Sequence, residues 1–216
     1  MRYVAPQYNL PFISVLCVQP GSNYEVLRQL GRVDTWDESR DAWNFRGPGP
    51  VIAHPPCRLW GNLSQFVRAS DAVCTREIAL GLWCGLCVQQ YGGVLEQPRG
   101  SKLWKALNLP RPGQKDRHGF TMQFPQNWFN HSSIKESWFY FVGLQPGDLP
   151  VMPYKFLPNV GGGNGAPGSV VRQGHKERNA TPFSLCLWLV EVCERISAGA
   201  SGASLAATKQ CAVESK

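Results

Sequence analysis

Long runs of one residue class are missing from this chain of 216 residues. The longest apolar stretch, Ala79 to Val88, is far short of the roughly 20 residues that a membrane-crossing helix needs. Charged residues make up only 17% and form no long block of either sign, which excludes a solvated polyelectrolyte tail as the bulk of the chain. Met1 to Leu10 has neither the apolar core nor the cleavage pattern of a secretion signal. The expected setting is therefore cytoplasmic and reducing, with the eight cysteines, which follow no regular framework, mostly as free thiols.

Nucleotide and metal signatures are equally scarce. No G-x-G-x-x-G follows any strand-like segment. The glycine-rich run from Val160 to Ser169, VGGGNGAPGS, lacks the Gly-Lys-Ser/Thr ending of a phosphate-binding loop and reads as a mobile loop. The pair Cys84 and Cys87 has C-x-x-C spacing but sits deep in a helical run. A redox pair needs its first thiol at a helix start, so these read as core residues. No second such pair and no histidine pair completes a zinc site.

What is present is a globular composition, 43% hydrophobic, with a net charge of +7. That size suits one domain with a real core. The basic balance favours a polyanionic partner such as nucleic acid, with a merely basic surface as the other reading.

The organising stretch is Val51 to Gly61, VIAHPPCRLWG. Val51 to Ala53 reads as the end of a buried strand. Pro55 and Pro56 forbid its continuation, since neither has an N–H and each fixes φ. Cys57 is thus delivered on a stiff loop at the carboxyl edge of a strand, where open α/β sheets place ligands. A preorganised nucleophile and a structural thiol both fit this setting.

The flanking elements follow in order. Phe12 to Val18 is a buried first strand, QPGSN (residues 19–23) a turn, and Tyr24 to Leu30 a short helix stopped by Gly31. Val33 to Trp36 is a second strand carrying Asp34 and leading to Asp37, Glu38 and Asp41. Acids there hold a ribose diol in many Rossmann-type sites; capping and surface roles are the alternative. Ser70 to Gln90 is the longest helix, ended by Gly92-Gly93. Val94-Leu95 then begins a strand that stops at Glu96-Gln97-Pro98. The strand–helix–strand crossover makes the two strands parallel and brings Cys57 and Glu96 to one edge of one sheet. Ser101 to Leu107 is a helix, Phe120 to Phe129 alternates apolar and polar residues, Ser137 to Val142 is an aromatic strand, and Phe183 to Ile196 is the last helix. Residues 1–11 read as a lead-in, 12–196 as the domain, and 197–216 as a disordered tail.

HPPC followed one helix later by LEQP resembles the cytosine-5 DNA methyltransferases, and more closely their small phage-type relatives. The ordered blocks VLCVQPGSNYEVL, DESRDAW, IAHPPC, EQP, QNWFNHSSIKESWFYFVGL and KERNATPFSLCLWL carry the likeness over residues 12–196. It implies an α/β, Rossmann-like methyltransferase fold, a mostly parallel sheet with flanking helices. It implies Cys57 as the nucleophile for carbon 6 of a flipped-out pyrimidine and Glu96 as its partner at ring nitrogen 3, protonated at the key moment and with its pKa raised by burial. S-adenosylmethionine is the implied methyl donor, with Gln19, Gly21, Ser22, Asn23, Asp34, Asp41 and Pro55 as its contacts. DNA, or a pyrimidine nucleotide, is the implied partner, and a phage-encoded chain would act in the host cytoplasm. Arg58, Arg99, Lys102 and Lys135 are the expected phosphate contacts. Trp60, Trp128 and Phe129 are aromatics for stacking on a base, or core residues. His54, His118, His131 and His175 are the histidines available as bases, with His131 foremost. The chain departs from the family in its single-glycine cofactor loop, in Gln97-Pro98 where Asn-Val is usual, and in having no large target-recognition insert. A non-catalytic DNA-binding or anti-restriction protein, or pyrimidine modification with another donor, are the alternative functions.

Overall fold

The computed structural model describes residues 13–62, 64–131, 134–154 and 180–213, with side chains up to Gly199. The N-terminal lead-in, the glycine-rich run at 160–169, the basic segment at 172–178 and His175 lie outside the described residues.

Strand β1 (Ser14–Leu16), helix α1 (Tyr24–Gln29), β2 (Asp34–Trp36) and β3 (Val51–Ala53) lead to the long helix α2 (Asp71–Tyr91). Then come β4 (Gly93–Pro98), the short α3 (Leu103–Ala106), β5 (Gly119–Pro125), β6 (Glu136–Val142) and α4 (Phe183–Val213). The six strands form one sheet in the order β2-β1-β3-β4-β6-β5. β1 to β4 pair in parallel, and β6 runs antiparallel to both β4 and β5. The result is an α/β mixed sheet, mostly parallel, with helices on both faces.

The apolar runs read as strands because both faces of the sheet are covered, which removes the need for a polar alternate residue. Successive side chains still part company by the two-residue period of a strand. Val15, Ile52 and Val94 join Phe139, Phe141 and the α4 residues Leu185, Leu189 and Val192 on one face. Leu16, Ala53, Leu95 and Tyr140 join the α2 residues Cys84, Cys87 and Val88 on the other. Helix α1 adds Tyr24 and Leu27 to the α4 side.

The α2–β4 junction depends on glycine. Gly92 caps α2 with φ 79°, and Gly93 opens β4 with φ 123°. A Cβ on Gly93 would fall 1.9 Å from the Val51 carbonyl oxygen. Only a bare backbone therefore lets β4 pair with β3 from its first residue.

Two expectations change. The broad apolar stripe expected of α2, running from Ala72 to Leu86, is not wholly buried, since Val73, Ile78 and Leu86 are exposed. Helix α4 does not stop at Ile196 but continues to Val213 through the segment expected to be structureless. That segment, SAGASGASLAATKQCAV, is rich in alanine, the strongest helix former, so its small-residue composition suits a continued helix.

Candidate active site

In the strand order, the chain steps from β1 outward to β2 and then returns to place β3 on the other side of β1. Such a reversal splays the loops after the two central strands and leaves a crevice at their carboxyl ends. A cavity of about 490 Å³ opens there. Its walls are the β1–α1 loop with Gln19, Gly21, Ser22 and Asn23, and the β3 loop with Pro55 and Cys57. Glu96 at the end of β4 and Lys135 just before β6 complete it. Thus the expected thiol and carboxylate meet in one cavity, together with the expected cofactor loop.

Local hydrogen bonds fix the Cys57 loop. The Cys57 carbonyl accepts from the Trp60 and Gly61 N–H groups at 3.0 and 2.9 Å, turning the chain back. Gln97 Nε2 donates to the Pro55 carbonyl at 2.6 Å, and Ser101 Oγ donates to Gln97 Oε1 at 3.3 Å. Gln97 is buried, so the residue in the usual Asn position is a strut for the Pro-Pro loop. Cys57 itself is exposed. Partial desolvation by the surrounding walls, then the Glu96 charge, push its thiol pKa up, while the Lys135 ammonium pulls it down.

Glu96 is 5% exposed and is surrounded by donors. Its Oε1 accepts from Ser137 Oγ at 2.7 Å and from Gln126 Nε2 at 3.0 Å. Its Oε2 lies 3.1 Å from His54 Nδ1, and His54 Nε2 is 3.0 Å from the Tyr24 hydroxyl. Burial alone would raise this acid. Lys135, His54 and Ser137 together outweigh burial and bring the pKa down to about 2. The expectation of a raised pKa is therefore corrected: Glu96 is a carboxylate at neutral pH, because everything around it donates.

The ionised acceptor also settles one proton. His54 Nδ1 must carry hydrogen to serve Glu96. With Nε2 facing Tyr24, both ring nitrogens are engaged, so His54 positions the carboxylate and is not an idle base. Burial, foremost, keeps the Tyr24 phenol far above its ordinary pKa, so it stays protonated.

Several expected contacts lie elsewhere. Asp34 opens β2, at the amino edge of the sheet opposite the cavity, and pairs with Arg40. Asp41 accepts from the Trp43 N–H at 3.2 Å and pairs with Arg76 at 2.8 Å, the capping and surface role left open above. Neither lines the cavity. Asp37 does follow the carboxyl end of β2, but its Oδ1 is taken by Ser39 and Arg40. Trp60 is 7% exposed and packs on Gly81 of α2, where a Cβ would lie 2.4 Å from its indole nitrogen; it is core and not a stacking platform. Phe129 is fully buried in the core as well. His131 is 4% exposed and outside the cavity lining. His118 lies on the surface beside Arg117, also outside the lining. Arg58 forms a two-point ion pair with Glu77. Arg99 and Lys102 are exposed, and Lys102 Nζ donates to Ser64 Oγ at 2.7 Å.

Tyr24, Gln126 and Ser137 were not singled out from sequence, yet they complete the Glu96 arrangement. Their signal is weak: Ser137 is the second residue of the aromatic strand β6, and Gln126 directly follows β5. No cluster of three or more metal-ligating side chains occurs among the described residues, and no described helix is long and apolar enough to cross a membrane. No protein-family model, curated protein or solved structure matches the chain.

Proposed function

We propose that this chain is a cysteine-dependent enzyme that modifies carbon 5 of a pyrimidine in DNA, in the manner of the cytosine-5 DNA methyltransferases. The observation that carries the reading is the meeting of Cys57 and Glu96 in a cavity at the switch point of the sheet. A thiol suits the reaction because it must both attack and leave.

The chemistry needs the target base outside the helical stack. The Cys57 proton leaves to solvent, and the thiolate adds to carbon 6. The electrons of the carbon 5–carbon 6 double bond move into the ring and make carbon 5 nucleophilic. After carbon 5 has taken its new group, its proton is lost to water, the double bond re-forms and Cys57 is expelled. Glu96 holds the ring edge as an ionised acceptor, with its own proton not required. Lys135 keeps the thiol from rising further and balances charge as the ring takes up electrons.

The donor implied by the resemblance is S-adenosylmethionine. The β1–α1 loop fits a polar ligand: Ser22 Oγ is buried with no hydrogen-bond partner among the described residues. A polar ligand offers such a hydroxyl the partner that the described residues do not. Gln19, Gly21, Ser22 and Asn23 would hold the donor, which would supply the methyl group. Arg99 and Lys102 are the exposed cations available to a DNA backbone.

The test is transfer of labelled methyl from S-adenosylmethionine to DNA of randomised sequence, beside calorimetric binding of the donor. Incorporation that falls to background in Cys57→Ala, with the fold retained, supports the reading. A folded protein that neither binds the donor nor labels DNA would overturn methyl transfer.

A further inference from the structure

The cavity presents a definite pattern of donors and acceptors to the edge of a pyrimidine. Glu96 Oε1 already accepts two hydrogen bonds, from Ser137 and Gln126. Oε2 has one partner, His54 Nδ1, and so keeps an acceptor position. None of the three neighbours offers a ready acceptor for a carboxylic O–H: Gln126 presents its Nε2, His54 its Nδ1–H, and Ser137 gives its hydrogen to Oε1. Lys135 lines the same cavity and, among the described residues, is its sole lysine or arginine, as Glu96 is its sole acid. Gln97 is held in one orientation, since its Nε2 donates to Pro55 and its Oε1 accepts from Ser101. The ring edge therefore meets an acceptor in a cavity that also holds a donor-only ammonium.

Pyrimidines differ in what they present there. A uracil-type ring carries N–H at position 3 flanked by carbonyl oxygens, matching an acceptor beside a donor. With nitrogen 3 placed at Glu96, as the resemblance implies, cytosine sets its bare nitrogen against the carboxylate and its carbon 4 amino group against the ammonium.

We infer that the substrate class is a pyrimidine with hydrogen on nitrogen 3 and a carbonyl at carbon 4, a uracil-type base with carbon 5 unsubstituted. This rests on the reading of Cys57 as the nucleophile. Glu96 then recognises the ring as it stands in neutral water, and Lys135 faces the carbonyl that takes up negative charge when the thiolate adds. Both groups also sense one another, since Lys135 is among the causes of the low Glu96 pKa.

The test needs no methyl donor. Addition of Cys57 to carbon 6 lets carbon 5 take a deuteron from heavy water. Loss of the original proton and expulsion of the thiolate then leave deuterium at carbon 5. Single-stranded oligodeoxynucleotides of randomised flanks, carrying one uracil or one cytosine, are incubated with the protein and read by mass. Each rate is divided by that with a simple thiol. Uracil should exchange about ten- to a hundred-fold faster than cytosine on this scale. Cys57→Ala should exchange neither. In Glu96→Gln, checked for fold by circular dichroism, an amide N–H becomes available to the bare nitrogen of cytosine, and the uracil preference should fall at least about ten-fold. Exchange at cytosine equal to or faster than at uracil overturns the inference and leaves the Cys57 reading standing. A full uracil preference retained in Glu96→Gln also overturns it. Exchange at neither base overturns the Cys57 reading and the inference with it.

Discussion

Gln97 Nε2 donates to the Pro55 carbonyl at 2.6 Å, across from β4 to the loop that carries Cys57. The two sequence motifs are thus tied to one another by a buried hydrogen bond and not merely by adjacency of their strands. Gln97→Leu keeps the volume but leaves the Pro55 carbonyl without its donor. It should cost about 1–3 kcal/mol in a urea titration. It should also slow alkylation of Cys57, while Gln97→Glu, which lacks the N–H, should do no better. Unchanged Cys57 reactivity in both variants would show that the prolines alone hold the loop.

Cys57 is exposed, whereas Cys84, Cys87, Cys186 and Cys193 are buried. Among these five, Cys57 should be the first alkylated by iodoacetamide, as read by peptide mass. Its thiol is raised by partial desolvation and by Glu96, and lowered by Lys135. Lys135→Met should therefore slow alkylation at neutral pH, and Glu96→Gln should speed it, each by roughly three- to ten-fold for a shift of up to one pKa unit. Opposite signs would contradict the charge arrangement of the cavity.

The Glu96 pKa of about 2 makes stability depend on pH in one direction. The folded state holds Glu96 ionised, whereas the unfolded chain takes up a proton near the ordinary value of about 4.3. Its contribution is complete above that value and is lost as pH falls through about 2. The loss should amount to roughly 2–3 kcal/mol. Urea midpoints at pH 7 and at low pH should differ less in Glu96→Gln than in the wild type. Parallel pH profiles would remove Glu96 from the acid response.

Gly93→Ala should be among the most damaging single changes outside the site. The added Cβ meets the Val51 backbone at 1.9 Å, and φ of 123° is closed to alanine. A cost above about 3 kcal/mol, or no folded protein at all, is expected. Gly147→Ala is the control, since nothing lies within 4 Å of its added carbon. A mild Gly93→Ala would mean that β3 and β4 pair differently at their start.

The central strands, the long helix and the Cys57–Glu96 edge were legible because each rests on a local rule. Proline stops a strand, Gly92-Gly93 stops a helix, and a strand–helix–strand crossover sets direction. The rest depended on contacts between distant residues. Asp34 looked suitable by composition but sits at the wrong end of its strand, which only the register Ser14 to Asp34 reveals. Trp60 and His131 looked suitable by residue type, but burial withdraws them. The sign of the Glu96 shift failed for the same reason. Desolvation can be guessed from an apolar strand, but the three donors come from just after β3, just after β5 and the start of β6.

The reversed direction of β6 has a consequence for how the protein comes into being. Parallel strands bring only their ends to the cavity, while β6 brings its beginning, so Lys135 and Ser137 reach Glu96 from the far side of a hairpin. During synthesis, a chain that has emerged only as far as β4 carries Cys57, His54 and Glu96 but neither partner of Glu96 Oε1. Of the hydrogen-bond partners that hold Glu96 ionised, such a chain has only His54. The donors to Glu96 Oε1 are thus supplied only once the β5–β6 hairpin is in place beside β4.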